Sequence, residues 1–288
     1  MYSGFCGGVK RAWNRAVKAA TEAAATGEET VFISGKLIHN TPAMRELAAL
    51  GVRELTAEDI QRGVTGKTLI MRAHGEGPST FERARALGLN VIDATCPIVT
   101  AVQKIAVQLE EEGYQVIVFG HRNHPEARAT VAYTKRGFII ESAEEARHLP
   151  RYPKLASIAQ TTMLQRDYLE LVEVLKTKAD VYEDRGRICG WTLHAQQEAV
   201  ELARQVQAMV VVGGRDSSNT LQLVRVCREV CPTYHVETAG ELRPEWFDGL
   251  HIVGVAAGAS TRETDISAVV AFLETLPTTE RAPEPALV

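Results

Sequence analysis

Cysteine is scarce in this sequence: there are five among 288 residues, an odd number, and no two are spaced as C-x-x-C. No basic, apolar, small-residue leader opens the chain. Together these absences argue against an exported disulfide framework and leave metal binding, catalysis or packing as roles for the thiols. Long apolar runs are lacking too, since the stretches near Val116 and Val210 fall far below spanning length. Positive charge is not in excess. A formal net charge of −4 offers no electrostatic case for nucleic acid or an anionic membrane. The expectation is therefore a cytoplasmic protein with neither partner. What is present is a 45% hydrophobic content, enough for two or three small domains with their own cores. The tail 277–288 is polar and Pro-rich and is expected to be disordered.

The arrangement of three cysteines is more informative than their number. Cys6, Cys96 and Cys189 stand almost one-third of the chain apart, and each opens a similar run: an apolar-periodic helix, a short β-rich stretch, then a polar loop. Those loops are KLIHNTP, GHRNHPE and GGRDSSN. Each leads through a second helix to a strand that ends near Glu54, Glu141 or Glu237. Further strands, TLIM, LASI and HIVGV, run into a second set of loops: RAHGEG, AQTTML and AAGAST. Three α/β lobes are expected, over 1–92, 93–182 and 183–276. Alternating strands and helices imply parallel sheets, which bind ligands beyond the carboxyl ends of their strands, and all six loops fall there.

Cys96 follows the strand-like NVID and precedes Pro97, a residue favoured in the first turn of a helix, so its sulfur is expected at a helix N-terminus that stabilises a thiolate. The helix carries Val102, Ile105, Ala106 and Leu109 on one face and stops at Gly113. Cys189 follows a weaker strand, ADVYED. Cys6 has only five residues before it, so the first unit lacks a leading strand and lobe one is expected to be the less stable for it. Three thiolates converging on a pseudo-threefold axis suit an iron–sulfur cluster or a catalytic zinc, and spacing does not choose between them. Cys227 and Cys231, read as C-x3-C on a helix with Leu223, Val224 and Val230, have no counterparts in the other units and are expected to be packing residues.

Around such a centre the loops would place His39, Asn40, His74, His124, Glu126, Thr161, Thr162, Ser217, Ser218, Asn219 and Ser260, donors suited to a phosphate or diphosphate. Singly, each has an ordinary reading. The threonines can finish a strand, Ser217 to Asn219 can cap a helix, and His39 can be a satisfied loop histidine. Glu126 can be a first-turn carboxylate or an acid that delivers a proton to a leaving hydroxyl. Recurrence at matching positions favours one shared site.

In GFCGGV, HN, AHG, DATCPIV, HPE, QTT, SSN and AGAS, kept in that order over almost the whole length, the chain resembles the 4-hydroxy-3-methylbut-2-enyl diphosphate reductase (IspH or LytB) family. The resemblance implies a cloverleaf of three α/β lobes around a 4Fe-4S cluster held by Cys6, Cys96 and Cys189. It implies Glu126 as proton donor, with His124 and Thr161 assisting and positioning the substrate hydroxyl. His39, His74, Ser217, Ser218, Asn219 and Ser260 would hold the diphosphate. The implied reaction takes two electrons and two protons, releases water and gives isopentenyl and dimethylallyl diphosphates, with ferredoxin or flavodoxin as electron donor. After Cys189 the family's aromatic-Ala-Thr stretch is replaced by Gly190-Trp191-Thr192, of which only Thr192 matches. Asn123 stands where Gly usually precedes the HPE histidine, and Ala129-Thr130 replaces Gly-Thr. Such changes leave room for a paralogue with another substrate. A cluster-bearing redox or iron sensor would need the cysteines but neither Glu126 nor the SSN loop.

Overall fold

The structure, a computed structural model, describes residues 4–27 and 30–277; the expected disordered tail, save Pro277, lies outside them. One pattern is built three times. The first lobe runs α1 (Gly7–Ala25), β1 (Val31–Ile33), α2 (Thr41–Ala49), β2 (Val52–Glu54), α3 (Ala57–Arg62), β3 (Thr68–Met71), α4 (Pro78–Ala86) and β4 (Asn90–Asp93). The second repeats it as α5 (Pro97–Glu111), β5 (Gln115–Phe119), α6 (Pro125–Val131), β6 (Phe138–Ile140), α7 (Ala143–Arg147), β7 (Tyr152–Ala159), α8 (Gln165–Lys176) and β8 (Ala179–Asp184). The third is α9 (Gly190–Ala203), β9 (Ala208–Val212), α10 (Ser218–Arg228), β10 (Thr233–Val236), two short 3-10 turns, β11 (Val253–Ala257) and α11 (Glu263–Glu274). Among the described residues no helix is long and apolar enough to cross a membrane.

All strand pairs are parallel, in the orders β2-β1-β3-β4, β6-β5-β7-β8 and β10-β9-β11. Parallel sheets of this kind need both faces covered. The central strands obey that by alternation: Ile117 and Phe119 of β5 enter one apolar cluster with α8, while Val116 and Val118 enter another with α5. In β9, Met209 and Val211 pack towards α9 and α10, and Val210 and Val212 towards α11. The strand order reverses between β1 and β3, between β5 and β7, and between β9 and β11, which splays the loops after each of these strands into a crevice.

One expectation is corrected here. The strand before a cysteine belongs to the sheet of the preceding lobe: β4, which leads to Cys96, pairs with β3, and β8, which leads to Cys189, pairs with β7. By the same rule a strand leading to Cys6 would sit beside β11, and among the described residues the third sheet is the one with three strands. A second correction concerns Cys231. Helix α10 ends at Arg228, so Cys231 lies beyond it, and Val230 is exposed. Cys227 is fully buried in the α9–α10 core with Cys231 against it, as packing residues are, and burial pushes the Cys227 thiol up to about 12.

Candidate functional site

Each of the three repeat cysteines is the N-cap of the helix that opens its lobe: Cys6 for α1, Cys96 for α5 and Cys189 for α9. The backbone N–H of Cys96 donates to the Ala73 carbonyl at 2.9 Å, that of Cys189 to Thr161 at 2.9 Å and that of Cys6 to Ala259 at 3.0 Å. The acceptor is each time the second loop of the neighbouring lobe, so one hydrogen bond made three times closes a ring. All three sulfurs line one central cavity of about 100 Å³. Gly8 leaves room for them, since a Cβ there would stand 2.6 Å from the Cys96 Sγ and 3.9 Å from that of Cys6. The expected thiolate at Cys96 is not favoured by the protein alone. Burial raises the Cys96 and Cys6 thiols, and the N–H groups of Ile98 and Val99, or of Val9 and Gly8, offset that only in part.

The first loops supply three more helix starts. Asn40, His124 and Ser217 occupy matching positions as N-caps of α2, α6 and α10. Their side chains accept from the N–H of Ala43 at 2.7 Å, Glu126 at 3.2 Å and Thr220 at 3.4 Å. Five of these six N-caps, all but Asn40, line the cavity, and each helix start brings a partial positive charge suited to anions. Asn40 differs from the sequence expectation. Its amide is engaged in the cap, and it does not line the cavity.

His39, His74, His124, Glu126, Thr161, Thr162, Ser217, Ser218, Asn219 and Ser260 all line the same cavity as the sulfurs. The three imidazoles lie together, with ring centroids 4.5 to 5.5 Å apart. Burial keeps them neutral: it lowers His39, lowers His74 well below the ordinary value and takes His124 to about 3. Because Nδ1 of His124 accepts the Glu126 N–H, its proton must sit on Nε2. Several buried polar atoms have no partner in the protein, among them both amide atoms of Asn219, Nδ1 of His74 and Nε2 of His39. An unsatisfied buried group costs about 1–3 kcal/mol, so a cluster of them around one cavity marks a place completed by a ligand.

Two residues missed by sequence reasoning support this set. Asp216, from lobe three, stands 3.1 Å from Nδ1 of His39 in lobe one, poorly aligned for a hydrogen bond but near enough to oppose the effect of burial on that ring. Lys36 donates to the same carboxylate at 2.8 Å. Gln160, fully buried, donates to Thr162 Oγ at 2.7 Å and Ser218 Oγ at 2.9 Å and accepts from the His121 N–H at 3.0 Å, tying lobe two to lobe three. Asp216 sits next to the SSN motif and Gln160 begins QTT. Their positions were the only signal. Ser260 Oγ donates to the His39 carbonyl at 3.0 Å, joining lobes three and one.

Glu126 is 3% exposed, and its carboxyl meets Thr161 twice: the backbone N–H donates at 2.6 Å and the hydroxyl at 3.0 Å. Burial nevertheless dominates and lifts Glu126 from 4.5 to about 7. A carboxylic acid that keeps its proton near neutrality beside a cavity is poised for general acid work.

Three parallel-sheet lobes closed in a ring on thiols, neutral imidazoles and one buried carboxyl with a raised pKa define a trilobed α/β protein with a buried central cavity. A family model described as LytB protein matches residues 1–274. The chain belongs to the LytB family. It is 35% identical over 278 residues to 4-hydroxy-3-methylbut-2-enyl diphosphate reductase of Caldanaerobacter subterraneus subsp. tengcongensis, covering 96% of this chain and 95% of the relative. It is 39% identical over 271 residues to the protein of that name from Geobacter sp. strain M21, covering 93% of each. Among solved structures, E-1-hydroxy-2-methyl-but-2-enyl-4-diphosphate reductase from Plasmodium falciparum matches with a TM-score of 0.86 at 26% identity, over 99% of this chain and 92% of that one. A structure of (E)-4-hydroxy-3-methyl-but-2-enyl diphosphate reductase matches with a TM-score of 0.68 at 37% identity, over 95% and 96%.

Proposed function

We propose that this protein is a 4-hydroxy-3-methylbut-2-enyl diphosphate reductase acting in the non-mevalonate route to isoprenoids. The observation that carries the reading is the convergence, in one buried cavity, of three thiols, a Glu126 carboxyl whose pKa burial lifts to about 7, and a set of unpartnered polar groups. A sensor would have no use for the last two.

The donor set suits a 4Fe-4S cluster held by Cys6, Cys96 and Cys189. Three thiolates on one zinc at about 2.3 Å would lie roughly 3.8 Å from one another. Among the described residues, the one set of three candidate ligands with donor atoms all within 4.8 Å is His39, His74 and His124, not the cysteines. The wider sulfur spacing and the missing Cβ of Gly8 suit a larger centre. Burial that raises the thiols would be overcome by the charge of iron. Such a cluster supplies low-potential electrons when bound.

The chain's own residues do the rest. Neutral His39 and His74, with Ser217, Ser218, Asn219 and Ser260, would take the diphosphate, while His124 would assist Glu126 at the substrate hydroxyl. The N-terminus of α10 would add backbone N–H groups. Thr161 would hold both the Glu126 carboxyl and the substrate hydroxyl. Glu126 would then give its proton to the hydroxyl as it leaves as water. Two electrons, two protons and the lost hydroxyl balance as one reduced product and one water. We further infer a cytoplasmic enzyme whose electrons come from reduced ferredoxin or flavodoxin, and whose lobes 1–92, 93–182 and 183–276 act as one unit. Anaerobic purification and assay with 4-hydroxy-3-methylbut-2-enyl diphosphate and a low-potential reductant test the proposal. Release of isopentenyl and dimethylallyl diphosphates is expected; an iron-loaded protein that leaves the substrate intact would refute it.

A further inference from the structure

We propose that the solvent face of α1 is the docking surface for a small acidic one-electron carrier protein, an inference that rests on the reductase reading. Helix α1 buries Ala12, Ala16, Ala19, Ala20 and Ala23 and turns the opposite face outwards. There Gly7, Lys10, Arg11, Asn14, Arg15 and Lys18 line one shallow hollow. The helix holds four cations against a single acid, Glu22, in a chain whose formal charge is −4. Lys10 and Arg11 are exposed and have no acidic partner among the described residues. Lys18 meets Glu22 at 3.6 Å, a surface pair that leaves its charge largely available.

The hollow also lies at the right place. Its first residue, Gly7, is exposed and adjoins Cys6, the N-cap of α1 and a cavity-lining thiol, so one residue without a side chain separates the patch from a proposed ligand of the redox centre. Acidic residues often occupy the first turn of a helix, where they complement its dipole. Helices α3, α7, α8 and α11 follow that habit. Helix α1 carries none there, as is also true of α2, α4, α5, α9 and α10. The hollow itself carries Lys10, Arg11, Arg15 and Lys18 and no acid among its lining residues, so it presents a positive field. That field would orient an acidic carrier and speed its encounter. Each reduced carrier would be oxidised by one electron. Two carriers and two protons per turnover balance the loss of hydroxyl as water.

The test uses the full-length, cluster-loaded protein and an oxidised acidic ferredoxin as probe, titrated at low and moderate salt. The Lys10→Glu/Arg11→Glu double variant should bind the ferredoxin at least about tenfold more weakly and lose most of the salt dependence. Its turnover with dithionite should stay at the wild-type level. Lys176→Glu, on the exposed end of α8, should bind the ferredoxin like wild type. Unchanged ferredoxin affinity in the double variant would overturn the docking surface, as would an equal loss in Lys176→Glu. Tight binding of oligonucleotide or anionic vesicles through Lys10 and Arg11, with none of ferredoxin, would overturn it as well. Failure of wild type with dithionite would instead count against the reductase reading, while the titration would still decide the surface.

Discussion

Replacing Glu126 with Gln separates proton delivery from everything else the side chain does. The amide is the same size, can accept the Thr161 N–H in place of Oε1 and can donate to the Thr161 hydroxyl, so the pair of contacts at 2.6 and 3.0 Å survives in outline. What is lost is a transferable proton. A positioned general acid contributes about 10²–10⁴-fold, so turnover should fall by that order while substrate affinity and iron content stay close to wild type. The pH dependence gives a second readout. Glu126 titrates at about 7 in the folded protein against an ordinary 4.5. The competent, protonated form is therefore present below pH 7 and lost above it, and wild-type turnover should decline on that limb. The same shift enters stability. Between 4.5 and 7 the folded state holds a proton that the unfolded chain has released, so stability falls as pH rises through that window, by about 3 kcal/mol in all. Glu126→Gln should remove this loss and melt higher than wild type at pH 8, with the gap closing at pH 5. Steady-state reduction, substrate calorimetry and thermal melts on one anaerobic preparation measure all three. Wild-type turnover in a variant that binds substrate normally would refute the proton-donor role; a gap in melting temperature that ignores pH would refute the raised titration.

Single Ser substitutions at Cys6, Cys96 or Cys189 should abolish the iron–sulfur absorption, whereas Cys227→Ser and Cys231→Ser should keep it; zinc in place of iron after anaerobic reconstitution would contradict the cluster. Asn219→Ala should weaken diphosphate binding by roughly 1.5–3 kcal/mol, the worth of hydrogen bonds to a charged group. Because both amide atoms of Asn219 lack partners in the free protein, the variant should not melt lower without ligand, and calorimetry beside a thermal melt reads both effects. Gly8→Ala would bring a methyl group to 2.6 Å from the Cys96 sulfur, so iron and sulfide content should drop while circular dichroism keeps the parallel α/β signature. Full iron loading in that variant would show that the glycine is not needed for space.

Much of this arrangement was legible because the lobes repeat. Three cysteines at one-third intervals and six loops in register placed the thiols and the polar residues at strand ends, and a short β-rich run after each cysteine's helix marked the strand that the structure covers on both faces in β5 and β9. The rest depended on relations that no local pattern encodes. Which sheet a strand joins is decided by hydrogen bonding at an edge, so the strand leading into a cysteine, β4 or β8, reads as part of that cysteine's repeat although it pairs in the sheet of the preceding lobe. Asp216 meets His39 across a lobe border, a contact between residues far apart in sequence. Placing Cys96 at a helix start was within reach of sequence. The outcome for its proton was not, since burial and helix end act oppositely and only geometry weighs them. Asn40 resembled its functional neighbours in type, but a short local bond to Ala43 claimed its amide.

The threefold scaffold is symmetric, while the chemistry placed on it is not. At the second residue of α2, α6 and α10 stand Pro42, Glu126 and Asn219, three equivalent positions holding no donor, an acid and an amide. After the carbonyls that hold Cys96, Cys189 and Cys6 come His74, Thr162 and Ser260, again equivalent and again unlike. The carboxyl with the raised pKa thus belongs to lobe two, whereas the cavity-lining residues with unpartnered polar atoms are Asn219 in lobe three and His39 and His74 in lobe one. With the proposed roles, a substrate must lie with its hydroxyl end towards α6 and its diphosphate between the loops of lobes one and three. The bonds that bring those loops together, Ser260 to the His39 carbonyl and Lys36 to Asp216, join the same two lobes. The bonds that close the ring at this border therefore also hold together the loops between which the diphosphate would lie.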